Sequence, residues 1–124
     1  MEVLNLSNKV SQFINIEHRL RSLKKRANQK NIEFNLNKVW IKEKLKNGVC
    51  EATGIPFSLD RTPFVNPFYP SVDRIDTTKG YTKDNCKLVC QIYNLAKADH
   101  SIEIFETWCK KFVEQYERTH ETLL

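Results

Sequence analysis

No stretch of this chain stays apolar for the ~18 residues that a membrane span needs, and the N-terminus lacks the apolar core of a signal peptide. A soluble intracellular protein with no membrane partner is expected. Repeats and low-complexity tracts are missing, and the apolar and aromatic fractions of 40% and 10% exclude a disordered chain. Only three glycines occur, Gly48, Gly54 and Gly80, and each lies in a turn signal. All four prolines fall between Pro56 and Pro70, so that stretch reads as an ordered, ring-rich loop. At 124 residues the chain is one domain.

Cysteine is also sparse, and no CxxC pair is formed. Four thiols, Cys50, Cys86, Cys90 and Cys109, are spaced unlike a four-ligand zinc site, so reduced, mostly buried thiols are expected and structural zinc is not.

What the chain has in excess is positive charge, and it is uneven. The net charge is +5 and the pI about 9.1. Ten Lys or Arg lie between Arg19 and Lys46 against Glu33 and Glu43, whereas five Glu follow Ser101 against Lys110, Lys111 and Arg118. A basic front with an acidic tail fits a polyanion bound on one side. Arg19, Arg21, Lys24, Lys25 and Arg26, with Lys79 further on, are the candidate phosphate contacts.

The basic run belongs to a helix capped by Ser7 or Asn8, with Val10, Phe13, Ile14, Leu20 and Leu23 near one stripe, ending near Lys30-Asn31. A second helix follows an Asn35-Leu-Asn37 cap, anchors Trp40 in the core and stops at Asn47-Gly48. Between Pro70 and Lys97 the pattern predicts strand, loop, strand, helix: Val72–Ile75, the Thr77-Thr78-Lys79-Gly80 turn, Cys86–Val89, then a helix with Ile92 and Leu95 on its buried side. Ser101 opens a last helix whose Ile102, Ile104, Phe105, Trp108, Phe112, Val113 and Tyr116 make a stripe, expected to close the core. Dimerisation through that stripe is the alternative.

If the hairpin folds onto the following helix, Asp73 and Asn94 converge as two hard oxygen donors, a set suited to Mg²⁺ or Mn²⁺ rather than zinc. Lys97, three residues beyond Asn94, shares its helical face, where an ammonium could reach a phosphate.

These residues, Asp73-Arg74-Ile75, Asn85, Asn94 and Lys97, with Cys50-Glu-Ala-Thr-Gly-Ile-Pro-Phe and Gly80-Tyr81-Thr82 around them, resemble the HNH endonucleases. That family is also called His-Me finger or ββα-metal, and its small phage-type members are the nearest in pattern, over about residues 19 to 100. The resemblance implies an α+β fold with a ββα-metal core at 49–100, flanked by a basic helical region at 1–48 and a closing helix at 101–124. It implies one divalent ion held by Asp73 and Asn94, a loop braced by Asn85, and hydrolysis of phosphodiester bonds in double-stranded DNA, or structured RNA. The setting would be the cytoplasm of a bacterial or phage-infected cell, and the protein a monomer or homodimer. Cys50 with Thr53, and Cys90 with Tyr93, stand where many members carry two zinc-binding CxxC knuckles.

Arg74 departs from the pattern, which has the general-base His there. A guanidinium does not take a proton from water at neutral pH. Arg74 is instead expected to clamp the scissile phosphate, and Tyr69 is the first candidate to activate water in its place. A DNA-binding module without catalysis, or an inhibitor that binds an acidic partner, are the rival functions.

Overall fold

The computed structural model describes residues 15–60 and 66–121. The Ser7 or Asn8 cap and the apolar positions Val10, Phe13 and Ile14 lie outside them. Among the described residues the architecture is α+β, with four α-helices and one two-stranded antiparallel sheet.

Helix α1 (Ile16–Lys30) starts at Asn15, whose side chain accepts a hydrogen bond from His18 N at 2.9 Å. It ends at Asn31, which adopts the left-handed conformation (φ 55°) that Asn tolerates better than most residues and returns its N–H to Ala27 O and Asn28 O. Ile16, Leu23 and Ala27 form its buried stripe. Helix α2 (Lys38–Asn47) is capped by Asn37, which accepts from Trp40 N at 2.9 Å, and is stopped by left-handed Gly48. Trp40, Ile41 and Leu45 face the core.

Strands β1 (Pro70–Arg74) and β2 (Cys86–Cys90) pair in a register that sets Pro70 opposite Cys90, Asp73 opposite Lys87 and Arg74 opposite Cys86. Helix α3 (Gln91–Lys97) follows β2 without a connecting loop. Its first N–H groups, which no helix satisfies internally, are taken by Tyr69 O and Pro67 O. The core gathers Leu23, Trp40, Ile41, Leu45, Leu88 and Val89 between the sheet and the first two helices.

A short clip joins α1 to the loop between the strands. Phe34 and Tyr81 form a parallel bridge, Tyr81 N donates to Glu33 O at 2.8 Å, Asn35 N donates to Tyr81 O at 3.0 Å, and Asn35 Oδ1 accepts from Lys83 N at 2.8 Å. Gly80 is required there, because a Cβ would collide with the Glu33 backbone.

Two expectations are corrected. Ile92 and Leu95 are exposed, at 53% and 63%, because the seven-residue helix α3 turns Asn94 and Lys97 to the sheet instead. Helix α4 (Ile102–His120), capped by Ser101, does not close the core: only Phe105 is buried, edge-on against Tyr93 at 5.4 Å between ring centroids. Ile104, Trp108, Phe112, Val113 and Tyr116 stand in solvent.

Candidate functional site

Asp73 lies near the end of β1, and its carboxylate is buried against the Lys97 ammonium, Oδ1 to Nζ at 3.1 Å, with the two side chains 4% and 1% exposed. The same ammonium donates to Arg74 O at 2.9 Å. Burial holds the Asp73 carboxyl above the ordinary carboxylate range, although the Lys97 hydrogen bond and charge pull it the other way. Lys97, expected to reach a phosphate, is thus the buried counter-ion of Asp73. Its four-carbon stem crosses the helix–sheet interface, and its charge is neutralised there.

Asn94, one turn earlier on α3, donates from Nδ2 to Val72 O at 3.1 Å and to Ser71 Oγ at 2.7 Å. A carbonyl acceptor requires the nitrogen at that position, so the amide oxygen is the end left for a ligand.

Asn85 braces the loop between the strands. Its Oδ1 accepts from Asp76 N at 2.9 Å, and its Nδ2 donates to Asp76 O at 3.0 Å and Gly80 O at 2.9 Å. The short 3₁₀ turn Lys83–Asn85 just before β2 presents it to the loop.

Arg74 ends β1 and turns its side chain along the same loop. Its Nη1 donates to Thr77 O and Lys79 O, both at 3.0 Å, and the guanidinium lies over the Tyr81 ring at 5.0 Å. That nitrogen, expected on a scissile phosphate, binds loop carbonyls instead. Strict strand alternation would separate Asp73 from Arg74, yet both line one pocket, because Arg74 is the last residue of the strand and its long side chain reaches round.

The pocket is a polar cleft of about 130 Å³. Asp73, Arg74 and Asn94 line it together with Arg26 and Lys30 of α1, and with Thr77, Tyr81 and Asp99 among others. Among the nominated basic residues, Arg26 is brought to the cleft. Arg21, Lys24, Lys25 and Lys79 are exposed elsewhere, and Arg19 is half-buried beside the apolar stripe of α1. Lys30, Tyr81 and Asp99 are not among the site residues that the sequence nominates. The spacing from Arg26 to Lys30, one turn of the same helix, was the available signal for the first.

Tyr69 is not brought to the cleft. It packs against the core before β1, and its carbonyl is held by Gln91 N at 2.9 Å. Four residues of extended chain, roughly 13 Å, separate it from Asp73.

Cys50 and Cys90 sit together, as the knuckle positions imply, but Thr53 offers a hydroxyl to Cys50 and Tyr93 packs on Phe105. Burial pushes the Cys90 thiol up to about 11, whereas for Cys50 the effect of burial is outweighed by hydrogen bonds from the Thr53 side chain and nearby N–H groups. Among the described residues no group of three or more His, Cys, Asp or Glu is placed to hold a metal ion, and no helix is long and apolar enough to cross a membrane.

No family model matches the chain, and no solved structure matches it. It is similar to the "Uncharacterized 29.0 kDa protein in dda-modA intergenic region" of Enterobacteria phage T4, with 32% identity over 100 residues, 81% of this chain. The chain spans 38% of that phage protein's length.

Proposed function

We propose that this protein is a divalent-metal-dependent endonuclease of the HNH type, acting on double-stranded DNA at the cleft between β1, α3 and α1. The observation that carries this reading is the meeting of Asp73 and Asn94, from strand and helix, in one small polar cleft that Arg26 and Lys30 also line. A carboxylate and an amide oxygen are hard donors. Two of them suffice for Mg²⁺, which keeps several waters and takes its remaining ligands from phosphate. The donor set therefore fits, with Asp73 and Asn94 as the residues that would hold the ion. When bound, such an ion polarises the phosphoryl oxygen and stabilises the leaving oxygen.

The chain's own residues supply the rest. Arg26 and Lys30 bind the phosphate backbone, Arg74 and Asn85 hold the loop in shape, and the Ser71 and Val72 contacts fix the orientation of the Asn94 amide.

A second reading, DNA binding without cleavage, is favoured by one observation: Lys97 already occupies Oδ1 of Asp73. Nicking of supercoiled plasmid with Mg²⁺ or Mn²⁺ separates the two. The wild-type protein is expected to nick, Asn94→Ala to lose at least tenfold in rate, and Arg26→Ala/Lys30→Ala to bind DNA with a salt slope smaller by about 2. Tight, salt-sensitive binding with no nicking under any metal would give the second reading.

A further inference from the structure

Helix α4 is the one long element of the described residues whose apolar side has no cover. Beyond Phe105 it makes no extensive contact with any other described element. At 19 residues it spans roughly 28 Å. Along it Phe105, Trp108, Phe112, Tyr116 and His120 form a ladder of stacked rings, with successive centroids 5.9, 6.3, 6.5 and 4.0 Å apart.

Trp108 is 60% exposed and Phe112 62%. With Ile104, Val113 and Tyr116, which are also exposed, the stripe offers on the order of 500 Å² of apolar surface. That is the size of a patch that marks an interaction site on a soluble protein. Two such stripes face to face reach roughly the 1,000 Å² that a specific interface needs.

Charge selects the occupant. The helix carries Glu103, Glu106, Glu114 and Glu117 against Lys110, Lys111 and Arg118, a net of −1 that gives a polyanion no purchase. The two edges of the stripe differ in sign. Glu106 lies seven residues before Val113 and Glu117 four after it, on one edge, and Lys111 and Arg118 continue the line of Ile104 at spacings of seven on the other. A second copy of the same helix, run parallel, brings an apolar stripe to the stripe and the opposite sign to each edge. Aromatic anchors of this kind dominate protein–protein interfaces.

We infer that the protein self-associates as a homodimer through the aromatic stripe of α4. This holds whether or not the cleft cleaves DNA.

Sedimentation equilibrium of the full chain over roughly a hundredfold range of concentration tests it, since dimer and monomer interconvert by mass action. The wild-type protein is expected to reach the mass of two chains of 14.6 kDa. Trp108→Glu/Phe112→Glu should stay a monomer throughout with an unchanged far-UV circular dichroism spectrum. If that variant loses helix, the edge variant Lys111→Glu/Arg118→Glu serves, with a dissociation constant raised tenfold or more. A wild-type monomer at every concentration overturns the proposal. Burial of Trp108 in that monomer, read from its fluorescence, would then point to cover by the chain's own residues 1–14. A dimer that neither variant weakens overturns it as well.

Discussion

The hairpin with α3 and the helix α4 invert the usual partition of a soluble protein in opposite senses. In the first, Asp73, Arg74, Asn85 and Lys97 are buried, and among the described residues no buried side-chain nitrogen or oxygen lacks a partner. In the second, large apolar side chains stand in water one turn after another. Buried polar groups and exposed apolar patches are the two arrangements that folding alone does not favour, so each marks a place where something beyond stability shaped the sequence. The difference is that the polar groups of the hairpin unit find their partners within it, while the apolar face of α4 beyond Phe105 stays uncovered among the described residues.

Breaking the buried pair is expected to have the largest effect. Lys97→Met leaves the Asp73 carboxylate without its cation and should lower stability by about 3–5 kcal/mol in urea unfolding. Asp73→Leu/Lys97→Met should recover most of that loss. A loss below about 1 kcal/mol for the single change would mean that water already reaches the pair.

Asn85→Ala comes next. It strands Asp76 N, removes the hold on Gly80 O and leaves Asp76 O with the Lys79 N–H alone, with an expected loss of about 2–3 kcal/mol and faster amide exchange across residues 76–80.

Acidity separates two neighbouring carboxylates, Asp73 of β1 and Asp76 of the loop after it. Asp73 is raised by burial, so between the ordinary carboxylate range and its higher folded value its ionisation opposes folding, and its contribution to stability falls as pH rises through that window. Asp76 is lowered by hydrogen bonds from Thr78, so its contribution is present above the ordinary range and is lost as pH falls through its lower folded value. Asp73→Asn should remove the first slope and leave the second, as read from unfolding midpoints at successive pH values.

Ala98 lies between the two regions with a positive φ of 48°, a strained conformation for any residue with a Cβ. Ala98→Gly should raise stability by about 0.5–1 kcal/mol. The smallest effect belongs to α4. Phe112→Ser, in protein dilute enough to be monomeric, should change stability by no more than about 0.5 kcal/mol, because the ring is already in solvent. A larger loss under those conditions would mean that the stripe is covered within the chain.

Local signals in the sequence were legible where one residue does one local thing. Asn37 and Ser101 cap, Gly48 terminates, and Trp40 fills the core, each as its type and neighbours predict. The strand–loop–strand–helix order around Asp73 and Asn94 was also readable, within a residue or two at each boundary.

Direction was harder to read. Ile92 and Leu95 look like an inner face because they are apolar, but on so short a helix only one face can meet the sheet, and the Asn94 and Lys97 hydrogen bonds claim it. The stripe on α4 is plain in the sequence, yet periodicity tells which residues share a side and not what lies opposite. For Arg74 the residue type excluded proton transfer, but only the folded loop reveals that its guanidinium meets backbone carbonyls.

The clip between residues 33–35 and 81–83 has a consequence for how this molecule can drift. Two of its three hydrogen bonds run from backbone to backbone, and the bridge between Phe34 and Tyr81 that they make needs no particular side chain to form. Substitutions at the exposed Glu33 can therefore accumulate without moving the basic helix relative to the cleft. A single residue inserted between Asn31 and Asn35 would instead shift Arg26 and Lys30 as a rigid pair, uncoupling the charged wall from Asp73 and Asn94 while every helix and strand stays intact. Length, more than identity, is the quantity that this segment must preserve.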